Sequence, residues 1–328
     1  MIATETMSWK EKGSSLFKSW ESLLLILLLL ICLANTWASP YFLDIYNLMD
    51  STAIFSEKAV IALSMALIII SRDIDLSVAS IIALTSTVIG YFATLGFDTF
   101  TLLWIGVFTG AICGGLNGFI VTKFAVPAIV VTIGTMSLYR GISWIVLGDR
   151  AYTDYPENFW VLGQGYLFDL IPYEFIAFLV LAVGFGLLLH KTTIGRNIYA
   201  LGNNPRAALY SGINVNRYRF WLFVLNGTMA GLAGVFLTSR LGATRPNIAM
   251  GWELEIITIV VLGGVNILGG SGSIAGVVLA AFIIGMLTFG LGLLNVPGIL
   301  MTIIIGLLLI SAIAAPILIK KFKPAGGK

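Results

Sequence analysis

The residues able to do chemistry in this chain are few, and they sit among apolar neighbours. Arg72, Asp73 and Asp75 interrupt two hydrophobic runs within SRDIDLSVAS, Ser71–Ser80. Asn117, Tyr139, Arg140 and Asn226 stand singly inside other apolar runs. A charge deep in a bilayer costs about 2.5–3.5 kcal/mol on insertion scales, so such groups pair or face a water-filled path. These residues are therefore candidates for lining a solute path. A second interruption, LGGVNILGGSGS at Leu262–Ser273, is Gly-rich, but no Lys follows its glycines as a phosphate-binding P-loop requires. No Ser-His-Asp set and no cluster of metal-ligand residues is present in the sequence. No cofactor and no catalysis are expected of this chain, and ATP, if used, is bound by another chain. Both interruptions admit two readings. They are turns, with Arg72 pairing Asp73 or Asp75, or they cap or line the path.

The elements that position these groups are membrane helices. The chain of 328 residues is 58% hydrophobic and 11% charged, against about 25% charged in soluble domains. Its mean hydropathy is +0.98. The net charge of +3 comes from loops and gives no nucleic-acid signature. Cys32 and Cys113 lie in apolar runs, which suggests neither disulfide nor metal, and His190 borders a helix end. No cleavable signal is expected, because Asn35, Thr36 and Trp37 make a poor cleavage region after the apolar Ser22–Ala34.

A spanning helix needs about 20 mostly apolar residues. Ten spans are expected, near 20–38, 52–70, 76–95, 101–122, 127–147, 172–190, 220–238, 252–268, 273–294 and 297–318. Trp20, Trp37, Tyr41, Trp104, Trp144, Trp160 and Trp252 fall near their ends, as interfacial aromatics do. Residues 191–219 carry Lys191, Arg196, Arg206, Arg217 and Arg219 and no acid. Residues 148–174 carry Asp149, Asp154, Glu157, Asp169 and Glu174 against Arg150 alone. Lys and Arg loops stay cytoplasmic, so 191–219 is expected inside and 148–171 outside. Lys10, Lys12 and Lys18 at one terminus and Lys320, Lys321, Lys323 and Lys328 at the other put both termini inside. The expected layout is an N-terminal segment 1–19, one membrane domain 20–319 and a basic tail 320–328. A multi-pass location in a membrane, with both termini on the cytoplasmic side, follows.

Within the basic loop, NPRAALYSG reads as a short capped helix. Asn204 suits the N-cap, Pro205 the first helical position and Gly212 a positive-φ close. A helix of about two turns is marginal alone in water, so it packs on its own membrane domain or inserts into a groove on a cytoplasmic motor subunit. Gly106, Gly110, Gly114 and Gly118 form one stripe, repeated at Gly227–Gly231 and Gly272–Gly276. Such stripes serve close helix packing within one domain, or a seam between subunits. Val126–Ile133 resembles Val296–Ile303, a weak inverted repeat of the kind common in transporters.

Several long segments, RDIDLSVAS, NGFIVTKFAVPAIVVTIGT, LYRG, TTIGRNIYALGNNPRAALYSGINVNR, GWELEIITIVVLGGVNILGGSGSIAG and NVPG, occur in an order that resembles a known family. The chain is similar, from about residue 45 to 315, to permease subunits of bacterial ABC sugar importers, the ribose, rhamnose and autoinducer-2 group of the branched-chain permease superfamily. That resemblance implies an all-α polytopic fold of the type II-like importer class, with about ten helices. It implies two ATPase subunits, a second permease (a heterodimer, or a homodimer) and an extracytoplasmic solute-binding protein, with membrane lipid around them. It also implies that the segment around Gly202–Gly212 is the coupling helix, so Gly195, Arg196, Gly202, Asn204, Pro205, Arg206, Ala207 and Gly212 are candidates for ATPase coupling. Many relatives carry two glycines where this chain has Arg72 and Asp73, and a glycine at Ala79. The Arg-X-Ile-Asp form looks closer to the rhamnose and autoinducer-2 branch.

The reading is a non-catalytic permease that moves a small sugar, rhamnose-like or autoinducer-2-like, with ribose or another monosaccharide as the alternative. Rivals are an ion-coupled secondary carrier using Asp73 or Asp75, and a membrane scaffold or sensor.

Overall fold

The computed structural model describes residues 20–322. Residues 1–19 and 323–328 lie outside the described residues, and with them Lys10, Lys12, Lys18, Lys323 and Lys328. The chain runs α1 (Trp20–Ala38), α2 (Ile45–Ile70), α3 (Val78–Thr94), α4 (Thr99–Lys123), α5 (Ala128–Leu147) and a short α6 (Val161–Gln164). A two-residue hairpin follows, β1 (Tyr166–Leu167) antiparallel to β2 (Ile171–Pro172). Then come α7 (Tyr173–Lys191), α8 (Thr193–Asn203), α9 (Pro205–Tyr210), α10 (Val215–Leu241), α11 (Trp252–Leu262), α12 (Ile274–Leu293) and α13 (Gly298–Phe322). The last helix passes the boundary expected at 319.

Seven described helices, α1, α2, α4, α5, α7, α10 and α12, are long and apolar enough to cross a membrane by length and composition. α3 and the apolar stretch Gly298–Ala312 are shorter. The expected span 252–268 is corrected: only 11 residues, Trp252–Leu262, are helical. Gly263 closes that helix, and Gly264, Gly269, Gly270 and Gly272 all take positive φ. Apolar composition alone had carried the expectation through residues that cannot hold one helix.

α2 is the centre. From Ser51 onward nearly every residue is buried, including Val60, Ile61, Leu63, Met65 and Leu67–Ile70. α10, α12, α7 and α11 all pack on it. The sequence is apolar all round, as suits a helix enclosed by others. α10 and α4 form the most extensive pair of described elements. The glycine stripe makes this pair. A β-carbon on Gly110 would collide with the carbonyl oxygen of Gly227, and one on Gly227 with that of Gly110. In lipid, where apolar burial gives helices no reason to associate, this close backbone approach supplies the attraction. The stripe is thus spent inside the subunit. Elsewhere Trp20 Nε1 donates to the Leu262 carbonyl (2.9 Å) and Asn35 Nδ2 to that of Met286 (2.9 Å), tying α1 to α11 and α12.

Successive long helices connect alternately at two ends. One, the loop end, carries α8 and α9. The other, the far end, carries α6 and the hairpin.

Candidate functional site: the capped loop helix and the polar network behind it

At the loop end α8 is amphipathic. Its Ile198 and Leu201 are fully buried, and its glycines set the distance to the bundle. A β-carbon on Gly202 would strike the Ile70 carbonyl oxygen and the backbone of Gly270, and one on Gly195 the Leu189 carbonyl. Gly195 and Gly202 therefore face the membrane domain, while Arg196 is exposed.

α9 follows at once. The Asn204 side chain accepts from Arg206 N and Ala207 N, both at 3.1 Å, and Pro205 occupies the first turn. At the other end Gly212, φ +85°, donates to the Leu209 carbonyl and Ile213 to that of Ala208, both at 3.0 Å. This is the paired closure that a left-handed glycine permits. Ala208 points inward, while Arg206, Ala207, Leu209 and Tyr210 point out, Tyr210 being 90% exposed. Pro205, Arg206, Leu209, Asn214, Val215 and Asn216 border a cleft of about 260 Å³.

The two sequence interruptions meet behind this helix. Gly270 N donates to the Ile70 carbonyl (2.9 Å), and Tyr199 Oη to the Gly272 carbonyl (2.6 Å). The expected pairing of Arg72 with Asp73 or Asp75 is corrected. Arg72, at φ +72°, donates through Nη2 to the Asn203 carbonyl (2.8 Å), the last residue of α8. Asp73 is held by Arg219 of α10 through two hydrogen bonds. The left-handed turn at Arg72 sends these neighbours in different directions, which spacing alone does not reveal.

Asp75 is fully buried and has no cation beside it among the described residues. Its Oδ1 accepts from Ser77 N (2.9 Å) and Ser77 Oγ (2.6 Å), and its Oδ2 from Asn226 Nδ2 (3.1 Å). Ser64 Oγ donates to Asn226 Oδ1 (2.8 Å). Asn117 Nδ2 donates to Ser77 Oγ (2.8 Å), and Tyr139 Oη contacts Asn117 Oδ1 (3.2 Å) and the Cys113 carbonyl (2.9 Å). Four of the predicted path residues, Asp75, Asn117, Tyr139 and Asn226, thus form one network joining the turn between α2 and α3 to α4, α5 and α10, with Ser64 of α2. Arg140 is apart from it. Its Nη1 donates to the carbonyls of Pro246 (2.8 Å) and Ile248 (2.7 Å), and its Nη2 to that of Ala79 (3.1 Å).

Toward the far end lies a second set that sequence reasoning missed. Arg240 grips Glu57 with two hydrogen bonds of 2.9 Å, and Glu57 is fully buried. Lys58 pairs with Glu255, and its ammonium lies 4.7 Å from the Trp252 ring centroid. Glu174, 1% exposed, has no hydrogen-bond partner on either oxygen among the described residues. The signal was in the sequence: Glu57 and Lys58 interrupt the expected second span. Outside the helices, Tyr155 shares a hydrogen bond with Thr244 (2.5 Å), and burial pushes its phenol up to about 12.

Residues 47–313 match the family model described as the branched-chain amino acid transport system / permease component. The chain belongs to this family. It is 34% identical to the ribose import permease protein of Haemophilus influenzae over 319 residues, covering 96% of this chain and 97% of that one. It is 36% identical to the autoinducer 2 import system permease protein of Salmonella typhimurium over 298 residues, 89% and 90% of the two chains. The ribose import permease protein of Bacillus subtilis is 34% identical over 292 residues, 88% and 89%. No solved structure matches. For this family member the capped α9 and the paired interruptions are the loop-end features, and no group of three or more metal-ligating side chains occurs among the described residues.

Proposed function

We propose that this chain is the membrane-spanning, non-catalytic permease subunit of an ATP-driven importer of a small sugar or similar polyhydroxylated solute. The observation that carries the reading is α9: a helix of six residues, capped at both ends, with Leu209 and Tyr210 turned away from the bundle. So short a helix is ordered by its caps and its anchor Ala208, and its exposed apolar edge suits a groove on a partner. Family membership and the import functions named for the similar chains support the same reading.

In this proposal the loop end is cytoplasmic and α9 seats in an ATPase subunit that holds Mg-ATP. Ten crossings place both termini inside, with two halves of opposite orientation. Two permeases and an extracytoplasmic binding protein complete the assembly in a bacterial inner membrane. Arg206, Ala207, Leu209 and Tyr210 make the motor contact, while Asn204, Pro205 and Gly212 shape the helix. Gly195 and Gly202 hold α8 to the bundle. Movement of α9 pulls on Asn203, and through Arg72 and Asp73 reaches the turn that carries Asp75. Such a turn biases the bundle only if the two access states bind the motor differently. Asn117, Tyr139 and Asn226 act on the path by moving with that turn.

The solute is a ribose-like monosaccharide, rhamnose or an autoinducer-2-like molecule. An ion-coupled carrier working through Asp73 or Asp75 needs that carboxylate free. Asp73 is held by Arg219 and Asp75 by Ser77 and Asn226.

Replacement of Pro205–Leu209 by Gly and Ser tests the proposal. Solute-stimulated ATPase activity of the assembled complex is expected to vanish while the permease remains in the membrane. Full coupling in that variant, or transport by the isolated chain on an ion gradient alone, sinks it.

A further inference from the structure

The far half of the bundle contains a recess that neither the interruptions nor the basic loop accounts for. Its origin is the shortness of α11. Eleven residues rise about 16 Å, roughly half of a 30 Å hydrocarbon layer. Residues 243–251 complete that column as irregular backbone. At membrane depth such backbone is tolerated only against protein or beside a water-filled cavity. Here it borders a cavity of about 430 Å³, within the range of small-molecule sites.

The segment is rigid, and two of its polar side chains are idle. Arg140 fixes the carbonyls of Pro246 and Ile248. Thr244 N donates to the Tyr152 carbonyl (2.9 Å), and Thr244 Oγ1 bonds Ser86 and Tyr155. Ala249 is held at φ +55°, a conformation unfavourable for a residue with a β-carbon and typical of positions that the surroundings over-determine. Yet Arg245 and Asn247, both exposed, make no side-chain hydrogen bond among the described residues. Arg240 spends Nε and Nη2 on Glu57 and keeps Nη1. Leu237, Ile248 and the Trp252 indole supply apolar walls. Donor groups fanned around an aromatic and aliphatic floor match a molecule with hydroxyls on its rim and C–H bonds on its face.

We propose that this recess is the first solute site of the permease on the side opposite the motor. Arg245 and Asn247 take the hydroxyls of a small polyhydroxylated solute, and Trp252 and Ile248 cover its C–H face. The proposal rests on the importer reading and names the residues that receive the solute, none of which is among the network residues around Asp75.

The test uses the full complex in proteoliposomes with its binding protein. Ribose, rhamnose and autoinducer-2 are screened first, and the sugar that is imported becomes the probe. At saturating sugar-loaded binding protein, Arg245→Ala and Asn247→Ala are each expected to lower the uptake rate about tenfold or more, the loss that follows removal of a hydrogen bond to a charged or buried partner. Arg245→Lys is expected to retain more uptake than Arg245→Ala. The affinity of the empty binding protein for the complex is measured alongside and is expected to hold within about twofold of wild type. Uptake unchanged in both alanine variants overturns the proposal. Loss of binding-protein affinity in step with uptake also overturns it, because the face is then a protein dock. Import of no sugar by the wild-type complex refutes the importer reading itself, and the proposal falls with it.

Discussion

The two ends of the bundle each pair one buried carboxylate with an arginine, Asp73 with Arg219 and Glu57 with Arg240, but treat their second carboxylate differently. Near the loop end Asp75 has no cation beside it among the described residues and is satisfied by neutral donors from Ser77 and Asn226, which are themselves bonded to Asn117 and Ser64. Toward the far end Glu57 is held by the Arg240 guanidinium, while among the described residues neither oxygen of Glu174 is hydrogen-bonded and the side chains of Arg245 and Asn247 make no hydrogen bond. A fully satisfied polar network rigidifies the packing around it. A partly satisfied one has bonding capacity left for a ligand or for a second arrangement. The loop end is thus built to transmit a displacement, and the far end to receive something.

Four substitutions press on this contrast, in falling order of effect. Arg240→Met leaves Glu57 buried without its cation and is expected to cost about 3–5 kcal/mol of stability. The double variant Glu57→Gln/Arg240→Met is expected to recover a large part of that loss, read by thermal unfolding in detergent. Equal damage in single and double variants contradicts the ion-pair account. Next, Asp75→Ala strands the Ser77 and Asn226 donors, at about 1–3 kcal/mol each, whereas Asp75→Asn is expected to lose clearly less. If the two unfold alike, the network does not hold the turn.

Asn204→Ala removes the α9 cap and is expected to cost about 1 kcal/mol of local helix stability. Solute-stimulated ATPase should fall while the melting temperature of the whole subunit barely moves. A global melting shift instead places α9 in the core rather than at a dock. Last, Arg72→Gly relieves a left-handed residue, worth about 1–2 kcal/mol, and loses the bond to the Asn203 carbonyl, worth about 1 kcal/mol. The net change in stability is expected to stay within about 1 kcal/mol. Coupling is expected to weaken, and intact coupling removes Arg72 from the transmission route.

Much of the site was legible because its rules are local. Asn204, Pro205 and Gly212 each carry a cap or turn preference that operates over a few residues, and α9 forms where they place it. The glycine stripe declared a close helix contact, but not its partner. Only packing could choose Gly227 and Gly231 on α10 over a second subunit. Arg72, Asp73 and Asp75 drew notice as charges between apolar runs, yet their partners Asn203, Arg219 and Asn226 lie more than a hundred residues away. Glu57, Lys58 and Arg240 had the same signal and were overlooked, because a long apolar average conceals single charges.

The sequence by itself determined a helical membrane chain with a capped helix on a basic loop, since composition, hydrophobic length and capping act without knowledge of the rest of the fold. Only the tertiary structure decided that 252–268 breaks at Leu262, that the two interruptions meet at Ile70 and Gly270, and that a recess opens above α11. Those outcomes depend on which backbones approach within hydrogen-bonding distance across the bundle. In an interior where nearly every helix is apolar, hydropathy does not distinguish one neighbour from another; glycines and buried polar partners do.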